Sequence, residues 1–293
     1  MAHPFVVVGI GEILWDLLPA GKQLGGAPTN FAYHANALGA HGIVAGCVGD
    51  DALGREILQR LDGLRVDRQY VSIHPSAPTG TVEVKLDEKG VPDFIIHRNV
   101  AWDLIPASAE LMRLAPQADA VCFGSLAQRG EVSRQTIQKF LAATRKDCLR
   151  IFDINLRQSF FTKQVIECSL EASDVLKLND TELPVITKLL DLPQGEAEGM
   201  EALLRKYSLR MIALTLGAHG SRLHVPGRVF EHPGYPAKVV DTVGAGDAFT
   251  AAMAIGLLRN REAAQINDKA NRLASFVCSQ SGATPKIPQD LLD

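Results

Sequence analysis

The chain has 293 residues, 46% of them hydrophobic and 22% charged, enough for a large core under an ordinary solvated surface. Its 30 basic and 33 acidic residues nearly cancel without a basic cluster, which argues against nucleic acid or an anionic membrane as a partner. The cysteines at 47, 122, 148, 168 and 278 make no C-x-x-C or metal-ligand spacing and are odd in number, so a reducing, cytoplasmic setting is expected.

The first segment, "MAHPFVVVGIGEILWD", is apolar but has no basic leader and meets Glu12 and Asp16 early. It reads as a buried first strand rather than a signal peptide. Gly9-x-Gly11 has Leu14 where a dinucleotide fingerprint needs its third glycine, and no G-x-x-x-x-G-K-[ST] occurs, which excludes a P-loop. H-E-x-x-H and G-x-S-x-G are missing too. Asp16 stands inside an apolar run, where a carboxylate needs hydrogen-bond donors, and sugar hydroxyls would serve. "QLGGAPTNFAYHANALGAHG" then places Gly25 and Gly26 before a helix that ends near Gly39. Either Thr29 or Asn30 caps that helix, or the glycine backbone approaches a polyol to which Asn30 offers a donor and an acceptor.

Further on, "GIVAGCVG", "DAVCFGS", "LRIFDIN", "DVLKLN" and "RMIALTLG" repeat the strand character of "FVVVGI". Amphipathic segments such as "DALGREILQRLDGL", "VSRQTIQKFLAATRK" and "GEAEGMEALLRKYS" lie between them. This alternation predicts an α/β fold with a mostly parallel sheet covered by helices on both faces. Ligands of such sheets bind beyond the carboxyl ends of the strands, and here those ends carry Asp153, Asn155, Lys177, Asn179, Thr215 and Gly217. "TGTVEVKLDEKGVPDFIIHRN" breaks the rhythm with alternating strands, Thr81 to Leu86 and Val91 to His97, around a "DEKG" turn. It predicts an antiparallel hairpin standing off the main sheet, and the pattern leaves open whether that is a lid or an edge decoration. After it, Arg98 is either a surface arginine or a cation for a substrate, and Trp102 is either core or a platform for a sugar. No repeat or linker divides the chain, so residues 1–293 read as one domain. The apolar stretch at 248–258 is too short to cross a bilayer.

"VVDTVGAGDAFTAAMAIGLL" sets Gly244, Ala245 and Gly246 between a strand and a helix start. Unsatisfied N–H groups and the helix dipole make such a start an anion site. Asp247 in the first turn is then either a helix cap or a base beside that anion. Phosphoryl transfer needs donors and a base together.

With "GGAPTNFA" near the N-terminus and "DTVGAGDAF" near the C-terminus, the chain resembles the ribokinase family, the PfkB-type carbohydrate kinases, over essentially its whole length. "FDINLR", "KLNDTE" and "TLGAHGS" stand at the matching intermediate places. The resemblance implies a ribokinase-like three-layer α/β/α fold with a small β-sheet lid, formed by about residues 12–20 and 79–100. It implies an ATP-dependent sugar kinase in which Asp247 deprotonates the sugar hydroxyl and the backbone of Gly244, Ala245, Gly246 and Asp247 forms the anion hole. Asp16, Gly25, Gly26 and Asn30 match sugar-binding positions, and Arg98 would serve a substrate carboxylate. Lys177, Asn179, Thr215, Gly217, Gly220, Gly246 and Asn271 match the nucleotide side. Asn179 and Glu182 would organise Mg²⁺ through water, while Asp241, Val243 and Gly282 would border a monovalent cation such as K⁺. Lys286 stands near where some relatives carry a serine ligand. "GGAPTN" after "GEILWDLLP" is most similar to fructokinases, with 2-keto-3-deoxygluconate kinases and ribokinase-type pentose kinases as alternatives. A sugar- or nucleotide-binding regulator without turnover is the alternative from another class. Lids of this family often pack against a second copy, so the resemblance also implies a homodimer.

Overall fold

A computed structural model describes residues 3–18, 21–86 and 92–292. The strands in chain order are β1 (Val6–Ile10), β2 (Leu14–Leu18), β3 (Gly21–Gly25), β4 (His41–Gly49), β5 (Asp67–His74), β6 (Gly80–Leu86) and β7 (Pro92–Ile96). They continue with β8 (Ala120–Phe123), β9 (Leu149–Asp153), β10 (Val175–Asn179), β11 (Met211–Thr215), β12 (Ser221–Val225) and β13 (Arg228–His232). The helices are α1 (Ala27–Ala37), α2 (Ala52–Gly63), α3 (Ala109–Leu114), α4 (Glu131–Ala142), α5 (Lys163–Glu171), α6 (Glu182–Leu189), α7 (Glu196–Lys206), α8 (Ala245–Leu258) and α9 (Ala263–Cys278).

The large sheet runs β13-β12-β11-β10-β9-β8-β1-β4-β5. It is parallel from β11 to β5, and β12 and β13 turn back antiparallel at one edge. Successive strand residues alternate between two cores, as the pleat requires. Val8, Phe152, Leu176 and Ile212 face Ile137, Phe140, Ile166 and Leu203 of α4, α5 and α7. Val7, Ile151, Val175 and Met211 face α1, α8 and α9 through Phe31, Phe249, Met253 and Leu273. The result is the ribokinase-like α/β/α arrangement.

The predicted hairpin is part of a second, four-stranded sheet, β3-β2-β6-β7. Its β6–β7 and β2–β3 pairs are antiparallel, while β2 and β6 run parallel. The "DEKG" turn, Val91 and the 19–20 end of the expected lid segment lie outside the described residues. This sheet covers Trp102, which is fully buried. A side chain at Gly80 would stand 2.2 Å from the indole nitrogen, so β6 passes over the ring only with glycine there. Trp102 is therefore core, not a platform open to a sugar.

Two helix starts differ from the simplest reading of the sequence. Gly26, at φ 105°, is the N-cap of α1, so Thr29 and Asn30 lie inside the helix and neither caps it. Gly244 is the left-handed N-cap of α8, which leaves Asp247 as the third helical residue.

Candidate active site

α8 is apolar on every side, buried from Ala248 to Ile255, and it is pinned to the main sheet at its start. The Thr250 hydroxyl lies 2.9 Å from both Asp153 Oδ2 and the Gly246 carbonyl. Asp153 ends β9 and faces Lys177 of β10 in register, and Lys177 Nζ donates to Asp153 Oδ1 at 3.0 Å. Both partners are buried. Burial opposes the Lys177 charge, but Asp153, Glu182 and Asp247 outweigh it and hold the ammonium above its usual range. This ion pair underlies the helix start: Lys177 Nζ is 3.1 Å from where a Gly246 side chain would begin. Gly244 is required twice, by its φ of 79° and by the Ala283 Cα that a side chain there would meet at 2.6 Å. The first turn of α8 thus presents its N–H groups over a buried cation, a setting that attracts an anion.

Asp247 projects from that turn. Asn30 Nδ2, from α1, donates to Asp247 Oδ2 at 2.8 Å. Withdrawal from water, then the Asp153 charge, push the Asp247 carboxyl up to about 6, against the pull of Asn30, Lys177 and Arg157. A carboxylate with that affinity is ionised at neutral pH yet able to take a proton.

Asp16 lies on β2 of the small sheet, and its Oδ2 occupies the space that a side chain at Gly25 would need, 2.2 Å away. Burial pushes it up to about 6, with Arg157 opposing and Asp241 adding to the rise. At Gly26 a Cβ would stand only 2.3 Å from the Glu12 carbonyl oxygen, so the chain makes this approach only with glycine there. Asp16 thus packs on Gly25, Gly26 seats the start of α1 on the Glu12 carbonyl, and Asn30 of that helix meets Asp247. Arg98 does not join them directly. It is exposed, stacks 4.7 Å over Phe160, and borders a neighbouring cleft of ≈ 530 Å³ with Arg129 and Phe161.

Two residues that the sequence reading passed over belong to this group. Glu12 is 2% exposed, and burial followed by the Asp247 charge pushes it up to about 7. It carries the same signal as Asp16, an acid in an apolar run. Arg157, two residues after the left-handed Asn155, is the guanidinium whose field reaches Glu12, Asp16 and Asp247 alike. In the sequence it closes the "FDINLR" segment, which by itself assigns it no role.

On the other side of the α8 start, Asn179 and Thr215 end neighbouring strands in register. Asn179 Oδ1 accepts from the N–H groups of Thr181 and Glu182 at 2.9 Å each. Glu182 is buried, its Oε1 accepting from Leu156 N at 2.8 Å and its Oε2 from Asn179 N at 2.9 Å. Each oxygen keeps a lone pair for an ordered water. Among the described residues no three His, Cys, Asp or Glu side chains converge on a metal position. The donor set fits a hard divalent cation that keeps its waters and takes phosphate oxygens as ligands. Gly217 and Gly220, at φ 55° and 81°, form the tight turn after β11. Asn271 spends its Nδ2 on Ser221 and Asn267 inside a buried network under that turn, so its amide supports the loop from beneath. Asp241 bridges two loops, Oδ1 accepting from Val243 N at 3.0 Å and Oδ2 from Gly282 N at 3.1 Å. Its carboxylate, with nearby carbonyls, fits a monovalent cation; Lys286 is exposed.

The model of the pfkB family carbohydrate kinases matches residues 20–290. The chain belongs to the PfkB family of carbohydrate kinases. It is thus an enzyme of the phosphotransferase class that acts on sugars. A fructokinase of Klebsiella pneumoniae is 32% identical over 260 residues, 85% of this chain and 83% of its own. The fructokinase of Vibrio cholerae O395, solved with fructose, ADP and calcium ion, is 27% identical with a TM-score of 0.83, covering 99% of this chain and 97% of its own. A double mutant of that fructokinase was solved with fructose, ADP and potassium ion. The ribokinase of Arabidopsis thaliana, solved with ribose and ATP, is 26% identical with a TM-score of 0.79, covering 100% of this chain and 99% of its own. Among the described residues no helix is long and apolar enough to cross a membrane.

Proposed function

We propose that this PfkB chain transfers the γ-phosphoryl group of ATP to a hydroxyl of a small sugar, with fructose the first candidate. The observation that carries the reading is the 2.8 Å bond between Asn30 and Asp247. It joins the helix of the sugar motif to the helix whose N-terminus is the anion site, so acceptor hydroxyl and transferring phosphoryl group meet at one carboxylate. Asp247 takes the hydroxyl proton as the oxygen attacks phosphorus. The N–H groups of the α8 start receive the charge that develops on the transferring group. Asp16 and Asn30 orient the sugar, and the small sheet over the cleft keeps out water that would otherwise accept the phosphoryl group. Mg²⁺, ordered through water by Asn179 and Glu182, would neutralise the phosphate charge, and K⁺ beside Asp241 and Val243 would add to the positive field at the α8 start. A cytosolic homodimer formed through the small sheet completes the proposal. Static light scattering that gives the mass of one chain at micromolar concentration would remove the dimer from it.

The decisive experiment follows ATP consumption with fructose, ribose, 2-keto-3-deoxygluconate and nucleosides. Fructose should have the highest kcat/KM, and no turnover with any of them would overturn the kinase reading. A second reading, 2-keto-3-deoxygluconate kinase, gains support from Arg157, a guanidinium whose field covers the acidic sugar cleft. Preference for the keto acid, lost in Arg157→Ala but not in Arg98→Ala, would decide for it.

Glu182→Gln replaces one acceptor by a donor against the N–H of Leu156 or Asn179. It should cost about 1–3 kcal/mol of stability and raise the Mg²⁺ concentration needed for half-maximal rate, with sugar KM little changed. Titrating Mg²⁺ against initial rate checks this, and an unchanged half-saturation point would leave Glu182 a purely structural brace.

A further inference from the structure

Glu12 is buried beside this group of residues without a task in the transfer described above. Its residue surface is 2% exposed, and its Oε2 has no hydrogen-bond partner. Its carboxyl lies toward the N–H groups of Glu12 itself and of Ala27, the first residue of α1. Its backbone carbonyl packs against Gly26, the N-cap of the same helix, so closely that any Cβ there would be 2.3 Å from the oxygen. Main chain and side chain of Glu12 therefore both seat the start of α1.

What α1 carries gives this seat its importance. Asn30 Nδ2 holds Asp247 Oδ2 at 2.8 Å. Tyr33 Oη donates to the Pro285 carbonyl at 2.9 Å, and His34 Nε2 lies 2.9 Å from the Ala283 carbonyl. Ala283 in turn is the surface on which the Gly244 turn packs. A small shift of the α1 start thus reaches both the reacting carboxylate and the flank of the anion site. Two further buried oxygens of this turn, Thr29 Oγ1 and Asn30 Oδ1, also lack partners. Of these the Asn30 amide oxygen can only accept, while the Thr29 hydroxyl can also donate; a carboxylic acid carrying its proton is a donor where a carboxylate would be one more acceptor.

We infer that Glu12 is a positioning residue for the phosphoryl transfer: its carboxyl seats the first turn of α1 and so holds the Asn30 amide on Asp247. This rests on the reading of Asp247 as the base. The groups facing Glu12 are Asp247 from α8, Arg157 from the loop after β9 and Cys122 from β8, with Asp153 and Lys177 behind Asp247. Burial, with the Asp247 charge, outweighs the backbone N–H groups of Glu12 and Ala27 and the Arg157 charge, and pushes Glu12 up to about 7. Its affinity for the proton is raised on folding, so the folded form gains from holding that proton. The stability this brings is full below the usual value of 4.5 and is lost as pH rises through about 7.

The test compares Glu12→Ala and Glu12→Gln with the wild type in kcat, KM for sugar and ATP, and melting temperature from pH 5 to pH 8. Displacing a reacting group by about an ångström costs up to 10²-fold, so Glu12→Ala should lower kcat roughly 10- to 100-fold with both KM values within about threefold. Glutamine keeps an acceptor for the Ala27 N–H and a permanent donor, and should restore kcat to within about threefold. It should also melt progressively higher than wild type as pH rises from 5 to 8, because it has no proton to lose. Unchanged kcat in Glu12→Ala overturns the inference. So does a Glu12→Gln protein as slow as the alanine variant but equally stable, since the ionised carboxylate would then be the working form. Loss of kcat, rise of KM and a lower melting temperature in both variants would mark a purely structural role and overturn it too. Activity retained by Asp247→Asn would instead remove the base reading while leaving the pH-dependent melting of Glu12→Gln in place, so the two failures are distinguishable.

Discussion

Asp247→Asn should lower kcat by 10²–10⁴-fold, the usual worth of a general base, while the dissociation constants for sugar and ATP stay within about threefold of wild type. The asparagine side chain has the same shape, and its oxygen can accept the bond from Asn30 Nδ2 that the carboxylate accepts at 2.8 Å. The ground-state geometry therefore survives, and only the proton acceptor is gone. In the wild type, kcat/KM should fall as pH drops through about 6, where burial and Asp153 have placed the carboxyl, and the residual rate of the variant should lack that acid limb. Stability should move the other way. A carboxyl raised from its usual 3.8 to about 6 is stabilising while protonated and loses that contribution as pH rises through 6. At neutral pH the ligand-free variant should therefore be more stable than wild type by on the order of 2 kcal/mol. Calorimetric binding, steady-state rates and melting curves at pH 5 and 8 measure all three. A variant within tenfold of wild-type kcat removes Asp247 as the base.

The parallel core was legible in the sequence because its strands are buried on both faces. The six apolar runs read as strands fall on β1, β4, β8, β9, β10 and β11. Edge strands carry no such signal. β5, "DRQYVSIH", is half exposed and mixes charges with apolar residues, and β12 and β13 turn back at the other edge with arginines and histidines among their residues. β3 was hidden in a segment that reads as a glycine turn, because Gly21 and Gly25 bound it. The site residues divide in the same way. Gly244, Asp247 and Asn30 stood out by motif, and the fold joins Asn30 to Asp247 at the helix start that Gly244 caps. Glu12 and Arg157 come within reach of Asp247 only on folding, and spacing does not encode which charges come to lie beside it. Asn271 shows the converse. A polar residue at the matching position turned out to spend its donor on a buried network with Ser221 and Asn267, a pairing 50 residues apart that only the packing of α9 on β12 reveals.

Lys177→Met should destabilise the protein by about 3–5 kcal/mol, the cost of leaving one member of a buried ion pair alone. Lys177 and Asp153 have side chains 10% and 5% exposed and meet at 3.0 Å. Without the ammonium, Asp153 keeps, among the described residues, only the Thr250 hydroxyl at 2.9 Å as donor and must either hold an unpaired charge in the core or take up a proton. Asp153→Asn should be destabilising for the reciprocal reason, and the double variant Lys177→Met/Asp153→Asn should recover most of the loss, because nearly isosteric neutral groups then fill the space. The rate profile separates stability from chemistry. Lys177 pulls the Asp247 affinity for protons down and Asp153 pushes it up, so losing the lysine alone should move the acid limb of kcat/KM to higher pH. In the double variant both influences vanish together, and the limb should return toward its wild-type position. Turnover should still remain low, since the cation beneath Gly246 that supports the anion site is gone. Urea denaturation of the four proteins gives the coupling energy, and pH–rate profiles give the limb. Single variants within about 1 kcal/mol of wild type would show that the pair is no brace. A double variant with full turnover would show that the anion site works without the lysine.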